Sequence, residues 1–132
     1  MKIAVKNVDD KPLVLIIDDE QDILEIVGYN LEQEGYQIIT ASNGKEAVSK
    51  AKKENPHLII MDVMMPEMDG MEACENIRKI PELNSTIITF LTARNEDYSQ
   101  VAGFDAGADD YIAKPIKPKL LVSKVKALLR RF

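Results

Sequence analysis

Five apolar segments alternate with helix-like segments along the chain. Two of them, Leu13–Ile17 and Leu58–Met61, are apolar without a break and rich in branched residues. That pattern is typical of strands buried on both faces of a sheet. Three weaker strands are predicted at Tyr36–Thr40, Thr86–Leu91 and Tyr111–Ala113.

Apolar residues recur at helical spacing between these strands. The first helix is predicted around Leu24, Val27 and Leu31, and Gly35 ends it. A second, weaker helix must end before Asn55-Pro56, because a residue that precedes proline disfavours helical geometry. The remaining helix signals are a capping box at Asp69–Glu72, the segment Glu96–Asp105, and a last helix that begins at Pro118 with Leu121, Val122, Val125, Leu128 and Leu129 on one face.

A strict strand–helix alternation predicts an α/β fold with a parallel sheet and helices on both sides. The length of 132 residues suits one domain, which we place at residues 12–132 after a polar lead-in at residues 1–11. In such sheets ligands bind beyond the carboxyl ends of the strands. The chemistry of the protein is therefore expected at those ends.

Composition narrows the classes of function. The chain carries a net charge of −5, which argues against direct binding to nucleic acid. One histidine and one cysteine cannot build a zinc site of the usual kind or a disulfide within the chain. No apolar run approaches the ~20 residues of a membrane-spanning helix, and the N-terminus does not resemble a signal peptide. We therefore expect a cytoplasmic protein with no membrane association.

Polar side chains follow four of the five predicted strands. Asp18-Asp19-Glu20 follows the first strand and Asp62 the third, while Thr92 and Lys114 follow the fourth and fifth. Carboxylates from two strands form an oxygen-rich site that suits Mg²⁺. An ammonium and a hydroxyl beside such a site would complete a cradle for a phosphoryl group, with a carboxylate as its acceptor.

These residues resemble the receiver domain of two-component response regulators. The resemblance spans Pro12 to Arg131 and rests on the motifs Leu15–Glu20, Met61–Gly70, Leu91–Ala93 and Gly107–Pro115. It implies a flavodoxin-like, doubly wound (βα)5 sandwich whose five parallel strands lie in the order 2-1-3-4-5. It also implies that the chain takes a phosphoryl group from a sensor histidine kinase.

The resemblance assigns a role to each residue of the acidic site. Asp62 would be the phosphoacceptor. Asp18 and Asp19 would hold Mg²⁺ (or Mn²⁺) together with Asp62 and the backbone carbonyl of Met64. The chain would catalyse its own phosphorylation and dephosphorylation without being a turnover enzyme.

Further roles concern the response to phosphorylation. Thr92 would bond a phosphoryl oxygen and Lys114 would pair with it, while Tyr111 would turn inward as an aromatic switch. Met64 and Arg94, two residues beyond Asp62 and Thr92, would tune the rate at which the phosphoryl group is lost.

The C-terminal part most resembles receivers that are fused to winged-helix DNA-binding domains. The resemblance leaves two interpretations open: an excised receiver with an output domain beyond this chain, which would control transcription, or a natural single-domain protein. Such receivers often dimerise through the fourth helix, fifth strand and fifth helix, where Asp110 and Lys124 are candidate partners. Gln100 and Leu120 stand where relatives usually place a charged pair, which puts the usual dimer in doubt.

Three alternatives compete with this interpretation. A phosphatase of the haloacid dehalogenase type also uses an aspartate and Mg²⁺, but it needs a second aspartate where this chain has Met64. A flavodoxin-like cofactor module would need a Ser/Thr/Gly-rich loop in place of Asp18-Asp19-Glu20. A receiver that has lost phosphorylation is the third, against which stands the presence of every expected polar residue.

Overall fold

The computed structural model describes residues 11–93 and 104–131. Its five strands form one parallel sheet in the order β2-β1-β3-β4-β5, which confirms the predicted fold. The strands are β1 (Leu13–Ile17), β2 (Gln37–Ala41), β3 (Leu58–Asp62), β4 (Ile87–Ala93) and β5 (Asp110–Lys114). The central strands β1 and β3 are almost completely buried, as their unbroken apolar sequences predict.

Helices cover both faces of the sheet within the described residues. They are α1 (Gln21–Glu32), α2 (Gly44–Glu54), α3 (Gly70–Arg78) and a C-terminal helix (Pro118–Leu128), with short 3₁₀ turns at Pro81–Leu83 and Leu129–Arg131. The side chains of Asn43 and Asp69 cap α2 and α3 by accepting hydrogen bonds from the backbone N–H groups of Glu46 and Glu72. Most of the predicted helix Glu96–Asp105 lies outside the described residues.

The core has one layer on each side of the sheet. On one side, α2 and α3 pack against alternate residues of the strands, including Leu15, Ile59 and Ile88. On the other side, α1 and the C-terminal helix pack against the intervening residues, including Ile16 and Ile60. No helix in the described ranges is both long and apolar enough to span a membrane.

The register of the sheet brings the ends of β1 and β3 together. Ile17 lies opposite Met61, so the next residues along the chain, Asp18 after β1 and Asp62 at the end of β3, lie close together. On the far side, Ala93 at the end of β4 lies opposite Lys114 at the end of β5. The polar residues are thereby collected at one edge of the sheet, as the sequence predicts.

Candidate functional site

Three carboxyl groups meet at the carboxyl end of the sheet. Oxygen atoms of Asp18, Asp19 and Asp62 lie within 4.8 Å of one another. Asp18 is completely buried and Asp62 is 6% exposed, whereas Asp19 faces solvent. A donor set of carboxylate oxygens fits the preference of Mg²⁺ or Mn²⁺, so the residues present suit the metal that the sequence predicts.

Lys114 brings a positive charge from β5 to the same place. Its Nζ lies 3.1 Å from Oδ2 of Asp18 and 3.5 Å from Oδ1 of Asp62, with Glu20 at 3.6 Å. The lysine side chain is only 20% exposed, so water screens these ion pairs less than it screens pairs on the surface. The ammonium therefore bridges acidic residues that β1 and β3 supply.

Backbone contacts fix the two buried carboxylates. The backbone N–H of Glu20 donates to Oδ1 of Asp18 at 2.9 Å, and that of Met64 donates to Oδ1 of Asp62 at 3.3 Å. Behind Asp62 the chain turns into α3, where Gly70 packs so closely that a Cβ atom would overlap the carbonyl oxygen of Asp62. Gly70 is therefore required by close approach of two backbone segments.

Burial and charge perturb the protonation of the site. Burial, followed by the charge of Asp18, raises the pKa of Asp62 to about 6. Burial also raises the pKa of Asp18. Burial alone would lower the pKa of Lys114, but the charges of Asp62 and Asp18 outweigh it and raise that pKa. At neutral pH Asp62 is therefore mostly ionised, which costs folding free energy, and it lies next to the positively charged Lys114.

A small pocket lies beside β4 and β5. Thr92, which is 2% exposed, and Tyr111 line the same small pocket together with Phe104 and Val63. The rings of Phe104 and Tyr111 meet edge to face with centroids 6.2 Å apart. A change in the position of Thr92 would therefore be felt at Tyr111 through this shared space.

Of the residues predicted for dimerisation, the structure describes Asp110, Leu120 and Lys124. Lys124 pairs with Asp110 of the same chain at 3.5 Å, and it donates a 2.8 Å hydrogen bond to the carbonyl of Tyr111. Leu120 is 49% exposed. Gln100, predicted for this surface, and Arg94, predicted to tune the phosphoryl lifetime, lie outside the described residues. Met64, the other predicted tuning residue, is 66% exposed.

Sequence reasoning missed two polar residues that hold the start of β5. Arg78, at the end of α3, pairs with Asp109, and both make further hydrogen bonds to the backbone. The chain offers no spacing pattern for this contact, because the two residues are 31 positions apart. The ion pair between Glu20 and Lys114 was also not predicted.

The fold is that of a flavodoxin-like α/β domain, and its acidic site lies at the topological switch point between β1 and β3. The model of the response regulator receiver domain matches residues 14–126. The chain belongs to the response regulator receiver domain family.

Two relatives of similar sequence are transcriptional regulators. The chain is 47% identical over 118 residues to the alkaline phosphatase synthesis transcriptional regulatory protein PhoP and 48% identical over 118 residues to the transcriptional regulatory protein ResD, both from Bacillus subtilis strain 168. Each match covers 89% of this chain and 48% of the relative, so the chain spans about half the length of these curated relatives.

A solved structure supports the fold independently. A protein described as a response regulator from Chloroflexus aurantiacus superposes with a TM-score of 0.88 and 37% sequence identity, over 92% of this chain and 100% of the other. The family, the relatives and the superposed fold therefore agree.

Proposed function

We propose that Asp62 is the phosphoacceptor of this receiver domain and that Asp18, Asp19 and Asp62 hold the Mg²⁺ (or Mn²⁺) that the transfer requires. One observation carries this assignment. Asp62 lies within 4.8 Å of the other two acids and 3.5 Å from the ammonium of Lys114, and it is 6% exposed, whereas Asp18, which shares both contacts, is completely buried and so out of reach of a donor. Acceptor, cation ligands and counter-charge are thereby within reach of one phosphoryl group.

In the proposed transfer, a carboxylate oxygen of Asp62 attacks phosphorus and forms an acyl phosphate. The bond from phosphorus to the donor breaks, and its electron pair leaves with the donor, which is a kinase phosphohistidine or a small acyl phosphate. Phosphoryl transfer depends mainly on position and on neutralising charge, which this site supplies. A pKa of about 6 leaves Asp62 mostly ionised, and so nucleophilic, at neutral pH.

The bound metal would neutralise charge on the phosphoryl oxygens and on the carboxylates. Asp18, held by the backbone of Glu20, and Asp19 would position it, and the backbone carbonyl of Met64 would complete the protein ligands. Lys114 would pair with a phosphoryl oxygen after leaving the carboxylates that it now contacts.

The added phosphoryl group would be read through Thr92. Its hydroxyl would bond a phosphoryl oxygen, and Tyr111 would move into the pocket that the two residues share. Thr92→Ala would leave phosphorylation intact but uncouple it from Tyr111. Met64 and Arg94 would set how fast water removes the group.

We further propose partners from membership of the receiver domain family. A sensor histidine kinase supplies the phosphoryl group in the cytoplasm, and residues 12–132 act as the receiver for an output domain that controls transcription, while this chain itself contacts neither nucleic acid nor membrane. Homodimerisation would use the surface of Asp110, Leu120 and Lys124, extended by Gln100. The relatives PhoP and ResD, which are transcriptional regulatory proteins, support the part of this proposal that concerns control of transcription.

Mass spectrometry after incubation with acetyl phosphate and Mg²⁺ tests the acceptor. The wild-type chain should gain the mass of one phosphoryl group, and Asp62→Asn should gain none. Asp69→Asn is the matched control, since it changes an exposed aspartate of the same loop and asparagine can still cap α3. Undiminished labelling of Asp62→Asn, or no labelling of the wild type, would refute the assignment.

A further inference from the structure

The position of β5 along β4 is weakly specified by apolar packing. Within the described part of the chain, β5 lies at the edge of the sheet with β4 as its one neighbouring strand. Of its five residues only Ile112 is fully buried. Register is strongly fixed where one face of a strand is buried and weakly fixed where it is not. Another contact must therefore hold β5 in place.

Arg78 ties three backbone segments together at the amino end of β5. Its Nη1 donates to the carbonyl of Thr86 at 2.7 Å, just before β4, and its Nε donates to the carbonyl of Gly107 at 2.9 Å. Gly107 has φ +112°, and a Cβ atom there would lie 2.7 Å from Cγ of Arg78. A side chain at position 107 would push the arginine away, so only glycine fits this contact.

Asp109 completes the connection on the β5 side. Its Oδ2 accepts from Nη2 of Arg78 and from the backbone N–H of Ile88, both at 2.9 Å. Its own backbone N–H donates to the carbonyl of Ile88 at 2.7 Å. Asp109 thus bonds both backbone groups of one β4 residue, which fixes the next residue, Asp110, opposite Thr89.

We propose that Arg78 and Asp109 form a register lock, which positions Lys114 at the acidic site by fixing β5 against β4. Lys114 is five residues beyond Asp109 on the same chain, while the three carboxylates come from β1 and β3. A slip of one residue would displace β5 by about 3.3 Å and turn Lys114 to the opposite face. That displacement is as large as the distances that now join Nζ to Asp18 and Asp62.

The effect of the register lock on phosphoryl binding rests on the proposed function, because the lock acts through Lys114, which would pair with the phosphoryl group. Arg78→Lys keeps the charge but loses the planar fork that bonds several acceptors at once. At saturating Mg²⁺ we expect it to weaken binding of fluoroberyllate, a phosphoryl mimic, about tenfold, as loss of a supporting residue typically does. Mg²⁺ affinity without fluoroberyllate should not fall, since the carboxylates keep their places. Both affinities are measured by calorimetry.

A double-mutant cycle with Lys114→Gln tests the route of the effect. If Arg78 acts through Lys114, adding Arg78→Lys to Lys114→Gln should change fluoroberyllate affinity by less than about twofold. If the fold-changes in fluoroberyllate affinity from the two substitutions multiply, the proposal is overturned. It is also overturned if Arg78→Lys lowers the affinities for Mg²⁺ and for fluoroberyllate in parallel. Lys79→Gln, which alters an exposed cation one residue away, is the control and should bind both ligands like the wild type.

Hydrogen exchange separates this proposal from the proposed function. In Arg78→Lys the backbone N–H of Ile112 should exchange at least about tenfold faster, while those of Ile16 and Ile60 keep their rates, because local opening of an edge strand need not open the core. Unchanged exchange in β5 would refute the register lock. Failure of the wild type to bind fluoroberyllate, with faster exchange of Ile112 in the variant, would refute the proposed function alone.

Discussion

Asp62→Asn should stabilise the metal-free chain at pH 8, although it removes the proposed acceptor. Burial and the neighbouring charge of Asp18 raise the pKa of Asp62 from 3.8 to about 6. A carboxyl group whose pKa is raised in the folded state binds its proton more tightly there than in the unfolded chain. The free energy of unfolding therefore falls as pH rises from about 4 to above 6.

The size of this effect follows from the shift of about 2 pKa units. At 1.36 kcal/mol per unit, ionised Asp62 costs the folded state up to about 3 kcal/mol at pH 8. Asparagine has nearly the same shape and carries no charge, so it should recover most of that cost. At pH 5 the expected difference between variant and wild type is about half as large, and it should vanish near pH 3.5.

Urea unfolding in EDTA at pH 8, 5 and 3.5 measures the difference directly. Glu75→Gln removes one charge from an exposed position of α3 and corrects for the change in net charge. Adding Mg²⁺ at pH 8 should stabilise the wild type more than Asp62→Asn, because the metal binds the folded site that retains its carboxylates. Equal stability of wild type and variant at pH 8, or a gain that grows toward acid, would refute the reasoning.

Three further predictions concern the surroundings of the site. Glu67 is exposed and has φ +68°, so Glu67→Gly should raise the free energy of unfolding by about 1 kcal/mol in urea titrations. Gly70→Ala should lower the free energy of unfolding by about 2 kcal/mol or more, because the Cβ would overlap the carbonyl of Asp62. Gly28→Ala, where the added atom has room, is the control and should be neutral or mildly stabilising. Cys74 is buried, and burial raises the pKa of its thiol to about 11, so it should react with iodoacetamide only when the chain unfolds; rapid alkylation of the folded chain would contradict this.

The elements that the sequence predicts best are those in which side-chain burial decides the structure. β1 and β3 are identified because every position must be apolar when both faces are covered. Strand ends are less visible, since hydrogen bonds define them. The prediction begins β2 at Tyr36, but the backbone N–H of Tyr36 bonds to Leu31 at the end of α1, and the ladder with β1 starts at Gln37. For the same reason β5 extends one residue beyond each end of its prediction.

The acidic site and the start of β5 differ in the kind of information that specifies them. The meeting of the carboxylates could be predicted because the carboxyl ends of parallel strands lie at the same end of the sheet, whatever the details of packing. Arg78 could not, because its partners are mostly backbone carbonyls, which every residue possesses and no sequence pattern marks. Yet an edge strand with one fully buried residue depends on such contacts for its register, and Lys114 depends on that register. The charged residues of the site can therefore be predicted from the sequence. The residues that position Lys114 can be identified only in the folded structure.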